Sequence, residues 1–152
     1  MQLRVQIVRY VDDHFPGFVE CDLVDASGRI HTFVEKGPVV SDKWPGPDDS
    51  YPMNGEIRCE ILGQLRCPGG RDLLRVTTEQ PDCVETKDGI AEFVVLSSQV
   101  ISAEATIAES ERKSKDCEDR AKSDPSRADA LLREAASHRE WIASLKRGHW
   151  RS

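Results

Sequence analysis

Residues able to hold a cation or move a proton are spread along this chain rather than gathered. Asp12-Asp13-His14 sets three ligand types in succession, but consecutive side chains diverge, and a hard cation needs more oxygens at defined spacing. Asp carboxylates also accept hydrogen bonds from nearby backbone amides in turns. The triplet therefore reads as a turn, and Asp48-Asp49-Ser50 reads the same way. Glu20, Asp22 and Glu35 would suit acid–base chemistry only in a cleft that raises one of them. They alternate with apolar neighbours, which puts them on a wet sheet face with Arg4 as an ionic partner of small worth. The sequence thus assigns no catalytic residue and no metal ligand, and it implies no cofactor.

The remaining chemistry is equally diffuse. Cys21, Cys59, Cys67, Cys83 and Cys117 are odd in number, and no two lie closer than eight positions. A disulfide framework favours an even set, and a zinc site favours Cys-x-x-Cys pairs. These are read as reduced thiols, with Cys21 and Cys59 in strand cores. His14, His31, His138 and His149 stand apart, without a His-Glu-x-x-His motif. There is no Gly-x-Ser-x-Gly elbow, and Cys67-Pro68-Gly69-Gly70-Arg71 lacks the Lys and Ser/Thr of a phosphate loop. An enzyme would need a dispersed site, to which Cys67, Cys83 or His31 would contribute.

Aromatic residues mark the contact candidates. Residues 37–55 lack periodicity and carry Pro38, Pro45, Pro47 and Pro52 together with Trp44, Tyr51 and Met53. Structureless connections longer than about 12–15 residues are commonly functional or disordered. Trp44, Tyr51 and Met53 are therefore partner-binding candidates, unless the loop folds back as a structural cap. Trp141 and Trp150 join them, Trp150 within a basic tail of Arg139, Lys146, Arg147 and Arg151. Cations at a helix C-terminus also answer its unsatisfied carbonyls.

Two kinds of element must position these groups. Residues 1–100 hold seven of the eight prolines and nine of the ten glycines, with 17 acidic against 10 basic residues. Leu3, Val5 and Ile7 alternate with polar residues, as do Val19, Cys21 and Leu23. Further strands are read over 30–35, 57–61, 74–78 and 92–96. Six short strands, each with one dry face, imply a small antiparallel barrel or roll, OB-like or SH3-like. Residues 101–152 read as helix, over 103–122 and 126–147, with Pro125 at the start of the second. The expected fold is α+β: a small β-barrel over 1–100, then an antiparallel helical hairpin over 101–152.

The hairpin faces differ. Ala103, Ile107, Ser110, Ser114, Cys117 and Ala121 form a narrow stripe of small residues. On the second helix Ala128, Leu131, Leu132, Ala135, Ala136, Trp141, Ile142 and Leu145 span an arc of roughly 220°, wider than one partner helix covers. The excess calls for a second body: the chain's own barrel, another copy, or a protein partner.

The chain has a formal charge of −6. The longest apolar run is Phe93-Val94-Val95-Leu96, far short of the roughly 20 residues of a spanning helix. Met1 to Ile7 alternates where a signal peptide would need a solid apolar block. A cytoplasmic location without membrane association is expected. The class favoured is a non-catalytic protein-interaction module, a small acidic binding protein of which an inhibitor or immunity-type protein is a special case. A single-stranded nucleic-acid-binding barrel ranks lower, because an acidic strand region without interleaved Lys/Arg and aromatics lacks the groove such binding needs. No motif names a small-molecule ligand.

Overall fold

A computed structural model describes residues 1–149, with only the backbone described at Gly148 and His149. The chain divides into two compact units. One comprises residues 1–41 and 45–102, the other residues 42–44 together with the chain from 103 onward.

The first unit is built on β1 (Gln2–Asp12), whose Leu3, Val5 and Ile7 are fully buried or nearly so. β2 (Phe18–Val24) and β3 (Ile30–Lys36) follow as antiparallel neighbours, and β4 (Met53–Arg58) pairs with the other edge of β1. The order is β3-β2-β1-β4, and the two-residue β8 (Val100–Ile101) also pairs with β1. β5 (Glu60–Arg66), β6 (Asp72–Thr77) and β7 (Glu92–Leu96) form a second antiparallel sheet in that order. Both sheets turn one face into a common core that includes Leu3, Ile7, Phe33, Ile57, Val76, Phe93 and Val95.

Among the described residues eight strands form two sheets and the expected closed barrel is not found; the reason lies at Cys59. Alternation through Ile57, Cys59 and Ile61 reads as one strand, but the chain changes partners there. Arg58 still pairs with Gln2, the Cys59 amide donates to Met1 O at 3.0 Å, and Glu60 already pairs with Thr77. A period of two reports which face is dry, not which neighbour supplies the ladder. The free edge at β5 carries a bulge between Ile61 and Gly63 and a charge at each end, features that discourage pairing with another strand.

The stretch 37–55 is partly ordered by its own bonds. It contains a short helix, α1 (Gly37–Val40), whose Val40 enters the core. Gly55 lets this segment approach β4. A Cβ there would stand 2.8 Å from Ile7 Cγ1 and 2.9 Å from the Val40 carbonyl oxygen.

The second unit contains α2 (Ala103–Ser123), a 3-10 turn at Pro125–Arg127, and α3 (Ala128–His149). Ser114 Oγ donates to Ala135 O at 3.2 Å, Glu111 pairs with Lys146, and Glu118 pairs with Arg139. From Glu111–Lys146 to Glu118–Arg139 the numbers rise along α2 as they fall along α3, so the two run antiparallel. The buried face of α2 is Ala103, Thr106, Ser110, Ser114, Cys117 and Ala121. It differs from the expected stripe only at Thr106, which takes the place of Ile107. Among the described residues no helix is long and apolar enough to cross a membrane.

Two outcomes follow for the β unit. Gly55→Ala should cost about 1–3 kcal/mol, because the Val40 backbone cannot yield as a side-chain tip can; urea denaturation measures it, and an unchanged midpoint contradicts the close approach. The second concerns acid. Hydrogen bonds from Arg9 and Lys87 hold the Glu20 carboxyl down to about 2 from an ordinary 4.5. At Asp25 burial pushes upward, but hydrogen bonds from Ser27, His31 and the Arg29 amide outweigh it and hold the group down to about 2 from 3.8. Both folded values lie below the unfolded ones. Their stabilisation is therefore full above about pH 4.5 and lost as pH falls toward about 2. Glu20→Gln should flatten that part of the stability–pH curve.

Candidate functional site

The most concentrated chemistry lies in the helical unit and was not legible as a motif. Glu134 and His138 are four residues apart on α3, which puts them on one face. The antiparallel packing brings Cys117 of α2 to the same place. The ligand atoms of Cys117, Glu134 and His138 lie within 4.8 Å of one another. Cys117 is buried, His138 is 1% exposed, and the Glu134 side chain is 40% exposed.

Asp42 completes the cluster from the 42–44 segment. His138 Nδ1 and Asp42 Oδ2 are 2.8 Å apart. A carboxylate only accepts, so Nδ1 carries a proton and donates, and Nε2 is the ring atom left to meet a ligand. Asp42 is itself fixed: Ser137 Oγ donates to its backbone oxygen, and Lys113 Nζ stands 3.9 Å from its Oδ2. Among the described residues Nε2 has no hydrogen-bond partner. The Glu134 Oε1 atom, 3.9 Å away, is too distant to serve as one.

This set can do one of two things. As a nucleophile–base–orienter arrangement, Cys117–His138–Asp42 would need an accessible thiol inclined to ionise. Instead burial first, and the Glu134 charge second, push the Cys117 thiol up. As a ligand set Cys117, Glu134 and His138 would serve directly, because a cation supplies the positive charge that a thiolate needs beside it.

Several sequence-derived candidates take other roles. Asp12-Asp13-His14 also brings ligand atoms together, but as an exposed turn in which the His14 amide and ring both meet Asp12 Oδ1, at 2.9 and 2.6 Å. Asp49 Oδ2 accepts from the Gly46 amide at 2.7 Å. Tyr51 donates its hydroxyl to Gly46 O at 2.6 Å, and Tyr51 and Met53 pack half-buried against the β core. Trp44 belongs to the helical unit, and is 44% exposed with a left-handed φ of 49°. Trp141 is only 7% exposed, and Leu131 and Ile142 are also buried in a single copy. Of the apolar arc inferred for the second helix, Leu132, at 46%, and Ala136 remain exposed. Trp150 lies outside the described residues.

Comparison with known protein families, with curated proteins and with solved structures finds no match to this chain.

Thiol accessibility checks the placement of Cys117. An aromatic disulfide reagent should titrate exposed Cys83 and half-buried Cys67 in the native chain, and reach Cys21, Cys59 and Cys117 only on unfolding. Rapid native labelling of Cys117 would contradict its burial.

Proposed function

We propose that the helical unit is a transition-metal-binding module. Cys117 Sγ, Glu134 Oε1 and His138 Nε2 serve as ligands, and Asp42 acts as the outer partner of the histidine. The observation that carries this reading is the buried His138 Nε2, which faces Cys117 and Glu134 and has no hydrogen-bond partner among the described residues.

The physical support has three parts. A buried polar atom without a partner costs about 1–3 kcal/mol, a penalty that a coordinate bond removes. A ligating histidine characteristically donates its other ring nitrogen to a carboxylate, which fixes the tautomer and ring orientation, and Asp42 stands in that place. One sulfur, one imidazole and one carboxylate suit a borderline divalent ion such as Zn²⁺ better than Mg²⁺ or Ca²⁺. Zn–N and Zn–O bonds of about 2.0–2.2 Å and a Zn–S bond of about 2.3 Å place tetrahedral ligand atoms about 3.3–3.6 Å apart. The His138–Glu134 separation of 3.9 Å is close to that, and small side-chain rotations close the difference.

Such an ion would cross-link α2, α3 and the 42–44 segment. Binding to the folded form alone raises stability by about 2.7 kcal/mol when the free ion is at 100 times its dissociation constant. The test uses the untagged chain with Cys67→Ser and Cys83→Ser, titrated with Co²⁺ as a spectroscopic stand-in for Zn²⁺. A thiolate-to-cobalt charge-transfer band saturating at one equivalent is expected. Cys117→Ser should abolish it while circular dichroism stays unchanged, and Asp42→Asn should weaken affinity about 10–100-fold. A chain without the band, or a band that survives Cys117→Ser, overturns the assignment.

A further inference from the structure

We infer that one flank of the α2–α3 hairpin is a docking groove for an amphipathic helix with an acidic edge. The inference is independent of the metal-binding reading, because none of the groove residues is one of its ligands.

The two flanks of the hairpin differ. The flank with Lys113, Glu134 and Ser137 holds the 42–44 segment, through the ion pairs Lys113–Asp42 and Lys43–Glu134 and the bond from Ser137 Oγ to Asp42 O. The opposite flank carries two adjoining concavities, of about 550 and 420 Å³, that share Glu118 and Arg139. Their apolar lining includes Ala121, Ala128 and Leu132. Leu132 is 46% exposed, and Ala136, one turn further along the same face of α3, is exposed as well. This strip of the apolar arc is left over after α2 and the 42–44 segment have packed.

Charge decides the occupant. Lys115, Lys122, Arg139 and Lys146 line the groove together with Glu111 and Glu118, in a chain whose formal charge is −6. Both carboxylates are engaged already, Glu111 with Lys146 and Glu118 with Arg139. Lys115 has no ion pair among the described residues, and Lys122 pairs with exposed Asp119 at 3.5 Å. Lys115 and Lys122 stand two turns apart on α2, about 10 Å along one edge of the groove. A second copy of the chain would set this positive edge against its own like and is disfavoured. A phosphate backbone would answer the lysines but leave Leu132 and Ala136 bare. A helix answers both: it lies in the trough between two antiparallel helices, sets apolar residues at i, i+3 and i+4 against Leu132 and Ala136, and offers carboxylates seven residues apart to Lys115 and Lys122.

The experiment uses the untagged full chain and two fluorescein-labelled three-heptad peptides. Both carry Leu at the a and d positions; one has Glu and the other Lys at e and g. Fluorescence anisotropy of the Glu peptide should rise saturably at one-to-one stoichiometry, and the Lys peptide should bind about ten-fold more weakly or less. Leu132→Asp should abolish binding of the Glu peptide, and Lys115→Glu combined with Lys122→Glu should reverse the preference. These are exposed positions, so circular dichroism should stay unchanged. A Glu peptide that does not bind, equal binding of the two peptides, or binding that survives Leu132→Asp overturns the inference. A dimer in sedimentation that Leu132→Asp dissociates also overturns it, in favour of a second copy.

Discussion

Burying an imidazole forces a fold to answer two ring nitrogens, and among the described residues only one of those of His138 is answered by a hydrogen bond. Asp42 takes the proton-bearing nitrogen of His138, and that bond dictates what the other can be. It fixes the ring orientation and turns Nε2 toward the space shared by Cys117 and Glu134. Without Asp42 the ring would be free to turn and the cluster would lose its direction. The low-dielectric setting that makes an unanswered nitrogen costly is the same one that makes a coordinate bond there effective.

The small residues of α2 take on a purpose in this light. Ser110, Ser114 and Ala121 contribute little apolar area, but they let the two helix backbones come close. Close approach allows a short side chain such as Cys117 to reach the face of α3 that bears Glu134 and His138. The contact of Ser114 Oγ with Ala135 O sits one turn from the cluster and holds the register. A bulky residue in that stripe would separate the helices and disperse the donors. The β unit follows a different rule: its order comes from a dry face shared by two sheets, and its conspicuous polar groups, Glu20 and Asp25, tie strands and turns together.

Sequence pattern revealed the periodic features and missed the long-range ones. The alternation in β1 and β2, the turns at Asp12 and Asp25, and the stripe on α2 all follow from local spacing. The change of sheet at Cys59 does not, because ladder partners leave no trace in alternation. The wide apolar arc of α3 was legible as an arc, but not as one already covered at Leu131, Trp141 and Ile142 in a single copy. Residues 37–55 looked like a uniform irregular stretch, yet Val40 and Tyr51 join the β core while residues 42–44 group with the helices. The candidate site was hidden for a plain reason: its four residues come from three segments. Its one local sign was Glu134 and His138 at i, i+4 on a helix whose charged residues otherwise face water.

X-ray absorption of the zinc-loaded chain addresses the central claim most directly, because it counts donors by element. One sulfur at about 2.3 Å, with the remaining shell of nitrogen and oxygen at about 2.0–2.2 Å, is the predicted result. A shell of nitrogen and oxygen alone, or one containing more than one sulfur, would contradict the account.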